Sequence, residues 1–193
     1  MISIVLASTS RYRRELLGRL RLPFIVEAPG VDEMAHEDER PAETARRLAL
    51  AKAMAVRDRH PGAIVIGSDQ VAELDGCSIG KPGTHAAAFE QLTRLQGRSA
   101  LFHTALAVVG IGGPPTVDCV ETSVRLRMLS AEGILAYLAA EPAYDCAGGA
   151  KIESLGIALM AAVRSEDPTA LVGLPLICLT TRLAERGVHV LTG

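Results

Sequence analysis

The amino-acid sequence predicts a mixed α/β fold, a twisted sheet with flanking helices and a long antiparallel element. Two observations carry this. Over residues 1–95, short apolar strand-like runs alternate with stretches of helical period. Beyond them the long runs ALFHTALAVVGIGG and TVDCVETSVRLRML meet at Gly112-Gly113-Pro114-Pro115, which is the pattern of an antiparallel pair. A chain of 193 residues with 49% hydrophobic content has enough apolar surface for one core, or for two lobes sharing one, within a single domain over 1–193.

In chain order, Ile2–Ala7 reads as a buried strand and Arg11–Arg21 as a helix burying Leu16, Leu17 and Leu20. Phe24–Ala28 is a second strand running into PGVDE. RPAETARRLALAKAMAVRDRH is a strong helix bounded by Pro41 and Pro61. AIVIGSD then forms a buried strand, LDGCS a tight turn, and Thr84–Leu95 another helix. After the two long runs, Ser130 caps a helix through Leu138, with Glu132 and Glu141 flanking it. The glycine-bearing loop CAGGAKIESLG leads to the apolar segment Ile157–Val163. DPTALVGLPLICLTTRLAERG reads as a turn, a proline-started helix from about Leu174, and Gly187 as its stop. The sequence contains no internal repeat and no low-complexity linker.

Composition narrows the classes of function. A formal net charge of -2, with a sequence pI near 6.2, provides no global attraction to nucleic acid or to an anionic membrane. With only 3% aromatic residues, a nucleic-acid-binding module is the weakest of the readings considered. The four cysteines form no CxxC pair and the five histidines fall singly, which argues against a thiolate or histidine metal site. No apolar run reaches membrane-spanning length, and the start lacks the pattern of a signal peptide. The expectation is a soluble protein of a reducing compartment, with a small ligand.

LASTSRYRR, directly after the first strand, combines capping residues with arginines. Solvated arginines on a capped helix would account for it, but a helix N-terminus beside Ser8 and Arg13 is also a phosphate site. Lys52 falls on the apolar stripe set by Ala45, Leu48, Ala49, Ala55 and Val56, where a lysine either snorkels to water or points into a cleft. Asp69 ends AIVIGSD, and polar residues at the carboxyl end of a buried strand sit where α/β sheets place ligands. Such an acid either caps the strand, holds a divalent metal or takes a proton from water, and Gln70 follows it.

GCSIGKPG is not a phosphate-binding P-loop, because three residues rather than four precede the Gly-Lys pair and Pro82 follows it. Lys81 remains either a loop phosphate ligand or an exposed hairpin lysine. Glu33, in GVDE, gains meaning if it meets Asp69. Together Ser8, Arg13, Lys52 and Lys81 as anion ligands, with Glu33 and Asp69 as acids, are what metal-assisted attack of water on a phosphoanhydride requires.

In order along the chain, LASTSRYRRELL, VDE, AKA, IGSDQV, GKP and LVGLPL resemble the Maf family of nucleoside triphosphate pyrophosphatases. The resemblance implies a Maf/ITPase-like fold with two lobes around a central cleft, and a cytoplasmic hydrolase of nucleotide metabolism. The implied reaction splits a nucleotide between its α and β phosphates, with Mg²⁺ or Mn²⁺, giving a monophosphate and pyrophosphate. It implies Asp69 as proton acceptor, and Ser8, Arg13, Glu33, Lys52 and Lys81 around the phosphates and metal. SDQV and CAGGAKIES resemble the branch acting on N7-methyl-GTP rather than the dTTP/UTP branch, with Tyr12, Gln70 and Glu153 as specificity positions. A methylated guanine carries a delocalised positive charge that suits an aromatic face and a carboxylate. Tyr12 stands where that branch often has tryptophan. The resemblance also implies a homodimer. The alternatives are a dTTP/UTP pyrophosphatase of the same family, or a regulatory, septum-related protein that binds nucleotide.

Overall fold

The computed structural model describes residues 2–191. Its sheet has seven strands, six along one continuous path and one more paired beside it. β1 (Ser3–Ala7) lies parallel to both β2 (Ile25–Glu27) and β3 (Ala63–Leu74). β5 (Ser99–Gly110), β6 (Thr116–Leu126) and β7 (Met160–Ser165) continue antiparallel, as the two long runs predict. β4 (Cys77–Ile79) folds back on the end of β3 through Asp75 and Gly76, whose φ values of 54° and 83° make the tight turn read in LDGCS.

The strand period sorts side chains onto two faces. On one face Val5, Ala7, Val65, Ala105, Ala107 and Val109 pack under α2 (Pro41–Arg57). On the other, Ile4, Leu6, Ile64, Ile66, Leu106 and Val108 pack against α1 (Arg11–Gly18) and α5 (Leu176–Ala184). Farther along β3, β5 and β6, a separate cluster including Leu74, Ala100, Val124 and Leu126 is covered by α3 (His85–Leu95) and α4 (Ala131–Ala140). Shared strands thus connect two helical lobes, with a cleft between them.

Several boundaries differ from the sequence expectation. α1 stops at Gly18 rather than Arg21, because Arg21 adopts φ 56°, outside the right-handed helix. The last helix begins at Leu176 rather than Leu174. Ala170–Val172 instead forms a 3₁₀ turn, Gly173 (φ 122°) ends it, and Pro175 occupies the N-cap.

The more consequential difference concerns Asp69, which does not end its strand. β3 continues to Leu74 because its β5 edge stays paired from Ile64 opposite Gly110 to Glu73 opposite Leu101. On the other edge β1 pairs only as far as Gly67, and β4 takes over at Ala72. Ser68–Val71 therefore spans a gap between two short partners. The carboxyl end that opens the crevice belongs to β1.

Candidate functional site

A cleft of about 660 Å³ lies at this gap. Its walls include the loop after β1, α2, the β4–α3 loop, residues 145–153 and the Ala170–Gly173 turn. Ser8 is buried just past β1, and its Oγ accepts from the Ser10 amide at 3.1 Å. Ser10 Oγ in turn accepts from the Arg13 amide at 3.4 Å, the N-cap read from LASTS. One turn into the helix, Arg13 donates through Nε to the Gly173 carbonyl at 2.9 Å, and its Nη1 lies 3.5 Å from Ser8 Oγ. Burial pushes the Arg13 pKa down, against the opposing pull of Asp69 and Glu33.

The apolar stripe of α2 determines where Lys52 goes. Ala45, Leu48, Ala49, Ala53 and Val56 face the sheet, and Lys52 in the same register is only 3% exposed. It does not snorkel to water: its ammonium stands 2.6 Å from Asp69 Oδ1 and 2.6 Å from Glu33 Oε1. Two acids separated by a whole helix in sequence thus meet on one cation. For Glu33, partial burial opposes the charged form. The hydrogen bond and charge of Lys52, with help from Lys81 and Arg13, outweigh that and hold its carboxyl below the usual range.

Lys81 is exposed on the loop after β4 and lines the cleft. Tyr12 is half-buried in the lining. Arg11 Nη2 donates to its hydroxyl at 2.7 Å, and the Arg11 guanidinium carbon lies 4.6 Å from the ring centroid. Gln70 also lines the cleft, with its amide nitrogen 2.9 Å from Thr104 Oγ1 and 3.0 Å from the Ala170 and Leu171 carbonyls. Carbonyl acceptors demand a donor, so the nitrogen is committed to this turn and the amide oxygen is what Gln70 has left to offer. Glu153 lines the cleft and is exposed, two residues beyond Lys151, which pairs with Asp145 at 3.1 Å. Val71, Phe102, Val124, Ile152 and Met160 add apolar surface to the lining.

The cleft therefore brings together all nine residues singled out from the sequence: Ser8, Tyr12, Arg13, Glu33, Lys52, Asp69, Gln70, Lys81 and Glu153. Its lining combines the Lys52, Glu33 and Asp69 ion-pair cluster and Arg13 with apolar side chains. Sequence reading passed over Ser68, Thr104 and Gly173, which tie the 170–173 turn to the sheet and to Arg13. Thr104 sits inside an apolar strand run, where no local pattern marks it, and Ser68 lies within IGSDQV, a motif that draws the eye to Asp69 and Gln70 instead. Gly173 lies within LVGLPL, a motif visible without its geometry. Glu33 and Asp69, a carboxylate pair on the Lys52 ammonium, are an oxygen donor set of the kind that fits Mg²⁺ or Mn²⁺ completed by other oxygens and water.

Comparison with known proteins identifies the family and the fold. The family described as Maf-like protein matches residues 3–186. A protein of Bordetella parapertussis named 7-methyl-GTP pyrophosphatase is 57% identical over 190 residues, covering 98% of this chain and 95% of that one. Proteins of the same name from Xanthomonas oryzae pv. oryzae and Albidiferax ferrireducens are 54% and 53% identical. The first match covers 98% of this chain and 100% of the relative, the second 97% and 95%. Among solved structures, a HAM1 protein from Coxiella burnetii matches with a TM-score of 0.55 at 18% identity, covering 96% of this chain and 100% of that one. That likeness shows the Maf/ITPase-like fold. No helix among the described residues is long and apolar enough to cross a membrane. Family match, relatives above 50% identity and shared fold agree, and this chain belongs to the Maf family.

Proposed function

We propose that this protein hydrolyses N7-methyl-GTP between its α and β phosphates, releasing the monophosphate and pyrophosphate, and so clears a modified nucleotide from the cytoplasm. The observation that carries the proposal is the make-up of the cleft's lining. Arg13, Lys52, Lys81, Glu33 and Asp69 form one charged group, joined by direct ion pairs and mutual charge effects, while Tyr12, Glu153 and apolar side chains line the rest of the cleft. A nucleoside triphosphate has the same two-part character. Relatives at 53–57% identity bear the name 7-methyl-GTP pyrophosphatase, which supports the choice of base.

In this reading, Ser8 and Arg13 receive phosphate oxygens, the arginine as a charged fork and the serine as a hydroxyl donor. Lys81 approaches the same group from the facing loop. Lys52 has three N–H donors; two meet Glu33 and Asp69, so it fixes the direction of both carboxylates and keeps a third for phosphate. Asp69 accepts the proton of the attacking water, and its position on a strand paired along its β5 edge holds that acceptor still. Glu33 and Asp69 would hold the divalent cation, which when bound offsets phosphate charge and lowers the pKa of water. Tyr12 stacks on the base, Glu153 faces its positive charge, and Gln70 presents its amide oxygen to the ring edge.

Pyrophosphate release tests the proposal. Purified protein with Mg²⁺ or Mn²⁺ is given N7-methyl-GTP, GTP, dTTP, UTP and CTP at equal concentration. Preference for the methylated nucleotide is the expected result. Preference for dTTP or UTP would keep the chemistry and overturn the base assignment. Release from none would favour a regulatory, nucleotide-binding protein.

A further inference from the structure

The carbonyl of Gly173 is the point where the sheet and Arg13 meet. Its oxygen accepts from Arg13 Nε and from Ser68 Oγ, each at 2.9 Å. Ser68 is fully buried in β3, and its hydroxyl also lies 2.8 Å from the Ala105 carbonyl of β5. The other end of the turn is held in the same way. Thr104, directly opposite Gln70 across the β3–β5 ladder and also fully buried, donates to the Ala170 carbonyl at 2.9 Å. The Gln70 amide reaches the same oxygen at 3.0 Å.

A guanidinium is a rigid plane, so anchoring Nε fixes the direction of the two Nη groups. Here the anchor is a backbone carbonyl on a turn without regular sheet pairing of its own. What holds the turn is a pair of hydroxyls, Ser68 on the Gly173 carbonyl and Thr104 on the Ala170 carbonyl, carried on β3 and β5 where those two strands pair with each other. Displacing the turn would rotate the Arg13 fork while leaving its charge in the cleft. A misplacement on the order of 1 Å can cost up to about a hundredfold in rate.

We infer that Ser68 and Thr104 are positioning residues. Acting through the Gly173 and Ala170 carbonyls, they fix the plane of the Arg13 guanidinium in the cleft. The inference rests on the proposed role of Arg13 as a phosphate ligand.

A double-mutant cycle of wild type, Ser68→Ala, Arg13→Lys and the double variant tests it. Lysine at position 13 has no Nε–H to place on Gly173. Two quantities are read: kcat/KM for pyrophosphate release, and the affinity for inorganic pyrophosphate with Mg²⁺ by calorimetry. Ser68→Ala is expected to lower kcat/KM about tenfold in the wild-type background and less than about twofold in the Arg13→Lys background. Pyrophosphate affinity follows the same pattern. Thr104→Val reproduces the loss, and Thr104→Ser, which keeps the hydroxyl, restores activity. Equal losses in both backgrounds, or no loss from Ser68→Ala, would overturn the inference.

If Ser68→Ala does not fold, Ser68→Cys, similar in size but a weak donor, takes its place in the cycle. A wild type that turns over no nucleotide would sink the pyrophosphatase reading while the pyrophosphate-binding arm still decides the positioning role. A wild type that binds no pyrophosphate would overturn the positioning role itself.

Discussion

Gly67 of β3 lies directly beneath the backbone of α2 at Ala49. A Cβ at Gly67 would overlap the Ala49 carbonyl and stand 2.8 Å from the Ala53 amide nitrogen and 2.9 Å from Ala53 Cβ. This close approach lets Lys52, on the same helix, reach Asp69 two residues along the strand. Gly67→Ala should therefore lift α2 from the sheet, with an overpacking cost of about 1–3 kcal/mol. Chemical denaturation should register that loss. Pyrophosphate release should fall further than stability explains, because the Lys52–Asp69 contact opens. A variant of unchanged stability and activity would show that the helix is not seated by this glycine.

Asp69→Asn keeps an oxygen for Lys52 and nearly the same volume, but removes the proton acceptor. Turnover should fall about 10²–10⁴-fold, while the thermal midpoint and nucleotide binding change little. Steady-state kinetics with calorimetric binding separates the two effects. Normal turnover would remove Asp69 from the role of base.

Tyr12 has Arg11 over one side of its ring, 4.6 Å from the centroid, and in the proposed complex the base stacks on the other. Tryptophan presents a stronger face to a cation. Tyr12→Trp should raise the preference for N7-methyl-GTP over GTP about two- to fivefold, and Tyr12→Leu should lower it by a similar factor. The ratio of kcat/KM values for the two nucleotides is the readout. An unchanged ratio in both variants would mean that the base does not stack here.

Glu39 ties the segment beside Glu33 to α2. It accepts from Arg47 Nε at 2.6 Å, from Arg47 Nη2 at 2.7 Å and from Thr44 Oγ1 at 3.0 Å, while Arg47 Nη2 also reaches the Met34 carbonyl at 3.0 Å. The Arg47 hydrogen bonds bring the Glu39 pKa down to about 2 from an ordinary 4.5, against a smaller effect of burial. A depressed carboxyl stabilises the fold above its unfolded pKa and loses that contribution as pH falls through the folded value. The stability difference between wild type and Glu39→Gln should be constant above the ordinary value of 4.5 and shrink as pH falls toward about 2. Denaturation midpoints across that range test it. A difference independent of pH would show that the Glu39 charge contributes nothing.

What the sequence determined by itself was local. The period of PAETARRLALAKAMAVR placed Lys52 on the buried side of its helix before any neighbour was known, since 3.6 residues per turn leave it no other side. The two long runs around Gly112 and Gly113 specified their antiparallel pairing, because one short glycine-bearing connection joins them. The ordered motifs identified the residues of the cleft. Tertiary structure decided how those residues meet. Asp69 looked like the end of a strand, yet β3 continues past it because β5 remains paired, and the crevice exists because β1 and β4 are both too short to close the opposite edge. Arg13 is oriented by a carbonyl 160 positions away, and that carbonyl is held by a serine 105 positions before it. Periodicity reports only which side of an element is buried. Contacts between distant segments arise when the faces pack, and no local pattern of residues contains them.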